Sequence, residues 1–265
     1  MISSSMKRPL ISIITVNLNN FTGLKKTIKG VFEQTWKDFE FIVIDGGSND
    51  GSKEFIESQN DKITYWVSEP DTGVYNGMNK GIVASRGEYL LFLNSGDYFY
   101  DEFVLEKINP TVKEEDLIYF NVKIRGNSNN TVSYPPQLRF SDLRYGTICH
   151  QAVFIKRKLF EKVGPYDESL KIVSDWKFFI LALFKYNCSY RGVNKILTIY
   201  DTEGISAAES SKAVIAAERN EVLNKHFRAL LHDFNELEKC RSAIQDLRNS
   251  RKIKLLTKLG LIKPF

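Results

Sequence analysis

FEFIVIDGGSNDGS, residues 39–52, runs from a strand-like apolar segment into a polar turn rich in glycine. Short runs of β-branched and aromatic residues, such as 39–44, are typical of strands buried in a parallel sheet. The run ISIITV at 11–16 has the same character, and apolar residues recur at helical spacing between the two runs, over 22–34. We therefore predict that the chain begins with a β-α-β unit.

The alternation of strand and helix patterns continues through the first half of the chain. Helices are predicted at 48–58 and 74–85, and strands at 63–67 and 89–93. Sheets of this kind bind ligands at the carboxyl ends of their strands. Asn17, Asp45 and the turn 94–97 each follow a predicted strand, so we expect them to share one edge of the sheet.

The second half is less regular. Its patterns predict strands at 117–124 and 152–155, a surface loop at 126–133, a helix at 176–186, and one or two strands within 189–199. From 207 to about 250 the sequence is strongly helical. Five apolar residues there, spaced by four and three, favour packing of the helix on its own domain, with homodimerisation through a short coiled coil as the alternative. They are Leu223, Phe227, Leu230, Phe234 and Leu237.

Composition and charge exclude several classes of protein. The net charge of +5 is small and its excess lies near the C-terminus, so nucleic acid is not an expected partner. The cysteines, Cys149, Cys188 and Cys240, lack the spacing of a zinc site or a disulfide framework, which favours a reducing compartment. The longest apolar run, 178–184, is too short to span a bilayer. A cytoplasmic location is expected.

The C-terminal segment RKIKLLTKLGLIKPF, residues 251–265, alternates basic and apolar residues. On a helix, Ile253, Leu256 and Leu259 would lie near one face with lysines beside them. This composition suits an anionic membrane surface, such as the inner face of the plasma membrane. A solvated, frayed terminus is an equally good interpretation.

Two acids in the first half are candidates for chemistry, and each has a structural alternative. Asp45 can accept hydrogen bonds from a base or ribose, or it can shape the turn that follows it. The glycines after it do not fit G-x-G-x-x-G, so an NAD site is disfavoured. Asp97, in Asn94-Ser95-Gly96-Asp97, can bind Mg²⁺ or Mn²⁺ together with a diphosphate, or it can simply complete a β-turn.

Two candidates lie in the second half. Asp175 precedes an apolar helix, where it can be a general base or the N-cap. His150, in CHQAVF, is the only histidine before the C-terminal helices. A lone histidine is more often a structural residue than a ligand.

Taken together, five segments resemble the family 2 glycosyltransferases of the GT-A fold, which elongate bacterial surface polysaccharides. In family order they are PLISIITVNLNN (9–20), FEFIVIDGGSNDGS (39–52), EPDTGVYNGMNKGIVASRGEYLLFLNSGD (69–97), HQAVFIKRKLFEKVGPYDE (150–168) and SDWKFF (174–179).

The resemblance implies an α/β GT-A domain over 1–206, with a mixed, mainly parallel sheet flanked by helices. Its nucleotide-binding half would be about 9–110 and its acceptor half about 111–206. A helical C-terminal extension with a basic amphipathic tail, 207–265, would follow.

The resemblance also implies a reaction: inverting transfer of a hexosyl or N-acetylhexosaminyl group from a nucleotide-diphosphosugar, by preference a UDP-sugar. The acceptor would be a hydroxyl of a saccharide or lipid-linked saccharide in cell-surface polysaccharide biosynthesis. Asp175 would be the general base and Asp97 the ligand of Mg²⁺ or Mn²⁺, with His150, Gln151 and Trp176 on the acceptor side. The implied donor-site residues are Thr15, Asn17, Asp45, Asp71, Gly73, Asn79, Lys80, Asn94 and Ser95.

The sequence departs from the family pattern in two places. The metal turn has one carboxylate, Asp97, where many relatives have D-x-D, and Ser174 precedes Asp175 where Glu is usual. The missing glutamate removes a like charge that would tend to raise the pKa of Asp175. The single-acid turn leaves open a non-catalytic assembly subunit that binds a nucleotide sugar. An NAD-dependent oxidoreductase shares the α/β pattern but needs the glycine fingerprint that is missing.

Overall fold

Parallel strands form the first part of a single sheet in the computed structural model, which describes residues 9–125, 130–201 and 209–263. They lie in the order β3-β2-β1-β4, with the residues of β1, β2 and β4 almost entirely buried. The apolar runs at 11–16, 39–44 and 89–93 therefore form core strands, as predicted. The strands are β1 (Ile11–Asn17), β2 (Phe39–Asp45), β3 (Tyr65–Ser68) and β4 (Tyr89–Phe92).

Helices connect these strands and cover the sheet. They are α1 (Phe21–Phe32), α2 (Ser52–Ser58) and α3 (Val74–Ala84). In α1 the buried apolar residues Leu24, Ile28 and Val31 follow the helical period and face the core. The helix predicted from residue 48 begins only at Ser52, because the backbone N–H of Ser48 donates to the carboxylate of Asp45 at 2.9 Å.

The second part of the sheet is mixed. It continues from β4 in the order β8-β6-β9-β5, with β7 paired to β6. β8 runs antiparallel to β4 and to β6, whereas β9 runs parallel to β6. The strands are β5 (Tyr98–Phe99), β6 (Leu117–Arg125), β7 (Thr131–Val132), β8 (Val153–Lys156) and β9 (Tyr190–Asp201). The helices are α4 (Val104–Ile108), α5 (Phe140–Tyr145), α6 (Arg157–Val163) and α7 (Ser174–Phe184).

One prediction for this half needs correction, and another is narrowed to one of its two alternatives. The surface loop predicted at 126–133 contains β7, whose residues pair with Val122 and Lys123 of β6, while 126–129 lie outside the described residues. The segment 189–199 forms one strand, β9, that extends to Asp201 and whose register with β6 shifts beside Asn121. A bulge lets one strand absorb an extra residue, so a break in the pattern does not require two strands.

The chain divides into two compact units, residues 1–218 and 219–265. The first unit extends beyond the expected end at 206 and includes the start of α8 (Lys212–Asn249). The carboxylate of Glu218 accepts hydrogen bonds from the backbone N–H groups of Lys171, Ile172 and Val173, at 2.6–3.2 Å. These bonds attach the first turns of α8 to the segment before α7.

The second unit is helical, as predicted, and contains α9 (Arg251–Lys258). Within α8 the helical geometry is interrupted at Phe227. Leu223 and Phe227 are buried, whereas Leu230 and Leu237 are 49% and 58% exposed. Homodimerisation stays a prediction. Among the described residues, no helix has both the length and the apolar character needed to cross a bilayer.

Candidate active site

The carboxylate of Asp45 lies where β1, β2 and β3 end and is hydrogen-bonded to residues at the ends of β1 and β3. β1 and β2 are in register so that Asn17 lies opposite Asp45, and Asp45 lies opposite Ser68 of β3. The carboxylate of Asp45 accepts hydrogen bonds from the Asn17 amide (2.8 Å), the Ser48 hydroxyl and N–H (2.6 and 2.9 Å) and the Ser68 hydroxyl (2.7 Å). Burial disfavours its charged form, but these bonds from Ser48, Ser68 and Asn17 outweigh burial and lower its pKa.

Thr15 and Asn17 support this edge from the interior. Thr15 is fully buried, and its hydroxyl donates to the carbonyl of Leu93 at 2.7 Å. Asn17 is 1% exposed and directs its amide at Asp45 and Ser48. The predicted positions at the edge of the sheet are confirmed, but both side chains lie beneath the surface of the site.

The turn after β4 is held by β1 and α1. The N–H of Ser95 donates to the carbonyl of Val16 at 3.1 Å. The hydroxyl of Thr27 accepts from the N–H of Gly96 (3.0 Å) and donates to the carbonyl of Asp97 (2.7 Å). Gly96 has φ of 107°, which a residue with a Cβ rarely adopts. Asp97, 8% exposed, is therefore fixed beside the end of β1.

Asp175 lies at the start of α7 within a hydrogen-bonded cluster. One carboxylate oxygen, Oδ2, is 2.8 Å from Nδ1 of His150. The other, Oδ1, accepts from the N–H of Trp176 (2.8 Å) and from the hydroxyl of Tyr75 (3.1 Å). The Tyr75 hydroxyl also contacts the carbonyl of Ile172. Three segments far apart in sequence thus hold this carboxylate.

The charges in this cluster stabilise one another. Burial alone would raise the pKa of Asp175, but the hydrogen bond and charge of His150, with the N–H of Trp176 and the hydroxyl of Tyr75, lower it. Burial would lower the pKa of His150, yet Asp175 and the more distant Asp97 raise it. Burial and the charge of Asp175 raise the pKa of Tyr75, which keeps its proton. The ionised carboxylate of Asp175 and a proton on His150 therefore stabilise each other.

His150 joins the two acids that the sequence singled out. Its Nε2 lies 3.3 Å from the amide nitrogen of Asn94, the first residue of the turn that ends in Asp97. The charges of Asp97 and Asp175 both act on His150, so both lie near this imidazole. The predicted convergence of the turn and the α7 acid is confirmed, with His150 between them.

The donor-segment residues differ in what they contact. Asp71 accepts from the N–H of Gly73 at 3.0 Å, just before α3. Asn79 binds the backbone of Tyr166 and the carboxylate of Glu168, so it joins α3 to the segment after α6. Lys80 pairs with Glu69 at 2.8 Å and also reaches the carbonyl of Pro70.

Two of the three acceptor-side predictions fall in the interior. Trp176 is 1% exposed and donates its indole N–H to the carbonyl of Leu143 at 2.6 Å. Gln151 is 2% exposed. The side chain of His150, the third of these residues, contacts the carboxylate of Asp175. Trp176 and Gln151 are thus buried side chains, and their assignment to the acceptor side stays a prediction.

Sequence reasoning missed several residues of the site. Tyr75 holds Asp175, Thr27 holds the turn 94–97, and Ser48 and Ser68 hold Asp45. Tyr75 lies inside a segment that matches the family, and Ser68 ends a strand beside Asp45. The sequence could therefore have indicated both as site residues. Thr27, in the middle of α1, carried no such signal.

A metal ion would find few protein ligands here. In the described parts of the chain, no three His, Cys, Asp or Glu side chains come together as a metal centre. The turn offers the carboxylate of Asp97, and the buried Oδ1 of Asn94 has no hydrogen-bond partner among the described residues. Mg²⁺ and Mn²⁺ accept such a sparse oxygen set when substrate phosphates and water complete it.

Comparisons with known proteins agree with this geometry. The model of the family described as "Glycosyl transferase family 2" matches residues 12–181. The chain belongs to glycosyltransferase family 2. This glycosyltransferase is 32% identical over 212 residues to an uncharacterised glycosyltransferase of Mycobacterium tuberculosis, covering 78% of this chain and 80% of that one. It is 32% identical over 180 residues to a PGL/p-HBAD biosynthesis glycosyltransferase of Mycobacterium bovis, covering 65% and 69%.

Solved structures show the fold of this glycosyltransferase. S. aureus TarS 1–349 in complex with UDP-GlcNAc matches with a TM-score of 0.63 at 16% identity, covering 82% of this chain and 71% of that one. A mannosyltransferase from Pyrobaculum calidifontis in complex with GDP-Man and Mn²⁺ matches with a TM-score of 0.56 at 13% identity, covering 96% and 84%. The predicted GT-A fold is confirmed.

The coupling between His150 and Asp175 has a measurable consequence. We expect the imidazole of His150 to titrate above the usual histidine value of about 6.5. In the Asp175→Asn variant the pKa of His150 should fall relative to the parent, because the hydrogen bond and charge of Asp175 are gone and only the smaller effect of Asp97 still opposes burial. NMR titration of the ring signals of His150 in the parent and in the variant measures this. An unchanged titration of His150 in the variant would contradict the pairing.

Proposed function

We propose that this glycosyltransferase transfers a hexosyl or N-acetylhexosaminyl group from a UDP-sugar to a hydroxyl, with inversion at the anomeric carbon. The observation that carries the proposal is the series Asn94, His150 and Asp175, which puts a held carboxylate next to the single-acid turn. The UDP-GlcNAc complex of TarS supports a UDP-sugar donor. The name of the Mycobacterium bovis relative supports an acceptor in glycolipid or polysaccharide biosynthesis, a saccharide or lipid-linked saccharide.

In the proposed mechanism Asp175 is the general base. Its Oδ2 accepts a hydrogen bond from His150 and keeps a second lone pair, which can take the proton of the acceptor hydroxyl. The lowered pKa keeps the carboxylate ionised at neutral pH. The hydroxyl becomes acidic only as its oxygen bonds to the anomeric carbon, so a weakly basic carboxylate suffices when proton transfer is late.

His150 and Tyr75 keep this carboxylate in place while the reaction proceeds. Both are donors to the same group, on different oxygens, and so fix its plane. Inversion requires the attacking oxygen and the leaving diphosphate to be on opposite faces of the sugar. We place the diphosphate at the turn 94–97 and the acceptor hydroxyl at Asp175.

Metal dependence is part of the proposal. A bound Mg²⁺ or Mn²⁺ would be held by Asp97 together with diphosphate oxygens, and it would offset the charge that develops on the leaving group. The protein's own share is one carboxylate on a turn that Thr27 keeps rigid.

Asp175→Asn tests the base. We expect turnover of a UDP-sugar to fall by roughly 10²- to 10⁴-fold, since that is the usual contribution of a general base, with the affinity for UDP unchanged. A transfer assay and calorimetry on the same preparation measure both quantities. Asp61→Asn, an exposed carboxylate, is the matched control. Undiminished transfer in the Asp175 variant would remove Asp175 as the base.

Asp97→Ala tests the metal. We expect Mn²⁺ to tighten UDP binding to the parent protein and to have little effect on the variant, because the only acidic residue of the turn is gone. Calorimetric titrations with and without Mn²⁺ measure the difference, and Glu57→Ala serves as the surface control. Equal affinity for UDP with and without Mn²⁺ in the parent would refute the metal site.

We further propose that the second unit docks on the inner face of the plasma membrane. The apolar side chains of Leu255 and Leu259 are 57% and 61% exposed, beside the lysines of α9. Basic and apolar residues together bind anionic lipid. The full chain should float with anionic vesicles and a chain ending at Ser250 should not, whereas neutral vesicles should recover little of either. Equal recovery of both chains with anionic vesicles would end this idea.

One alternative is favoured by a specific observation. The single carboxylate of the turn suits a subunit that binds a nucleotide sugar without catalysis. Transfer to any acceptor, or donor hydrolysis, by the parent protein would exclude it. Membership of family 2 gives the oxidoreductase alternative no support.

A further inference from the structure

Asp45 lacks the capacity to read a nucleobase. It is fully buried, and its carboxylate already accepts four hydrogen bonds from Asn17, Ser48 and Ser68. A carboxylate has about four acceptor positions in total. A base that entered this edge of the sheet would have to find another acceptor.

Asp71 offers one directly beside it. Its Oδ1 accepts from the N–H of Gly73, and its Oδ2 has no hydrogen-bond partner among the described residues. Oδ2 lies close to two residues without side chains, Gly46 and Gly77. A Cβ at Gly46 would be 2.6 Å from it, and a Cβ at Gly77 would be 3.4 Å from it.

The two glycines explain why the acid fits. Gly46 follows Asp45 directly, and its N–H donates to the carbonyl of Asn17 at 2.8 Å, so its position is fixed by the strand ends. Any side chain at position 46 would collide with the carboxylate of Asp71. The glycine at this position therefore provides space for a carboxylate supplied from the next loop.

We propose that Oδ2 of Asp71 accepts the ring N–H of a uracil or thymine base and so selects the donor nucleotide. This inference rests on the proposed function and adds the residue that sets its base preference. Uracil presents a single ring N–H on its pairing edge, which matches one free carboxylate oxygen. Guanine presents two adjacent N–H groups and would need both oxygens, one of which Gly73 uses. Cytosine presents a ring acceptor, which the carboxylate repels.

The Asp71→Asn variant tests whether Asp71 sets the base preference. If the oxygen of the introduced amide keeps the hydrogen bond from Gly73, its NH₂ group faces the base. A donor there repels the N–H of uracil and suits the ring acceptor of cytosine. We expect UDP to bind the parent more tightly than CDP, and the ratio of the two affinities to move toward CDP by roughly ten- to a hundredfold in the variant.

The measurement is calorimetric titration of parent and variants with UDP, CDP and GDP at saturating Mn²⁺, with circular dichroism to verify folding. Gly46→Ala is the second variant, because its Cβ displaces the Asp71 carboxylate without removing it, and it should also lower the preference for UDP. Asp61→Asn is the control for loss of a surface charge.

Three outcomes would overturn the assignment of Asp71. They are a parent that prefers GDP, a parent that does not discriminate UDP from CDP, and a folded Asp71→Asn variant with the parent's ratio. In each of these cases the parent can still transfer sugar, and the proposed function survives. A parent that binds no nucleoside diphosphate and transfers no sugar would instead defeat the proposed function and this inference together.

Discussion

The buried carboxylate of Asp45 is the constraint on which the arrangement of the first three strands depends. A charge at 0% exposure is costly unless hydrogen bonds compensate it, and here groups from β1, β3 and the following loop all donate to it. Because each donor comes from a different segment, satisfying the charge forces the ends of β1, β2 and β3 to one edge. The loops that follow these strands, including the loop that carries Asp71, therefore begin at fixed positions.

Most of the first half could be predicted because local pattern and tertiary burial agree there. The runs at 11–16 and 39–44 are apolar on both faces, and only a central parallel strand buries both faces. The second half was harder to predict from the sequence because its strands are mixed in direction, and because β5 and β7 have only two residues each. Such short strands form because a neighbouring strand pairs with them. The local sequence pattern does not indicate that pairing. The predicted start of α2 was too early because the backbone N–H of Ser48 donates a hydrogen bond to Asp45, so the helix begins only after this turn.

The site was predictable in position but less so in orientation. Motif spacing located Asp175, Asp97 and Asp45 at one end of the sheet, since strand ends and helix starts can be read from the sequence. It did not tell which side chains point outward: Thr15 and Trp176 match the family segments, yet each turns inward to bond a carbonyl. Thr27 was not predictable, because its role depends on a turn 67 residues or more away along the chain.

The contact between Asn94 and His150 links the charge of Asp175, the base that we propose, to the turn 94–97. An uncharged His150 with its proton on Nδ1 accepts at Nε2 from the Asn94 amide, which matches the 3.3 Å contact. A cationic His150 carries a proton on both nitrogens, so the amide must rotate and present Oδ1, the atom that otherwise lacks a partner. The orientation of Asn94 therefore follows the proton on His150. Since Asn94 begins the turn that ends in Asp97, a change of charge at Asp175 affects this turn through two side chains, His150 and Asn94.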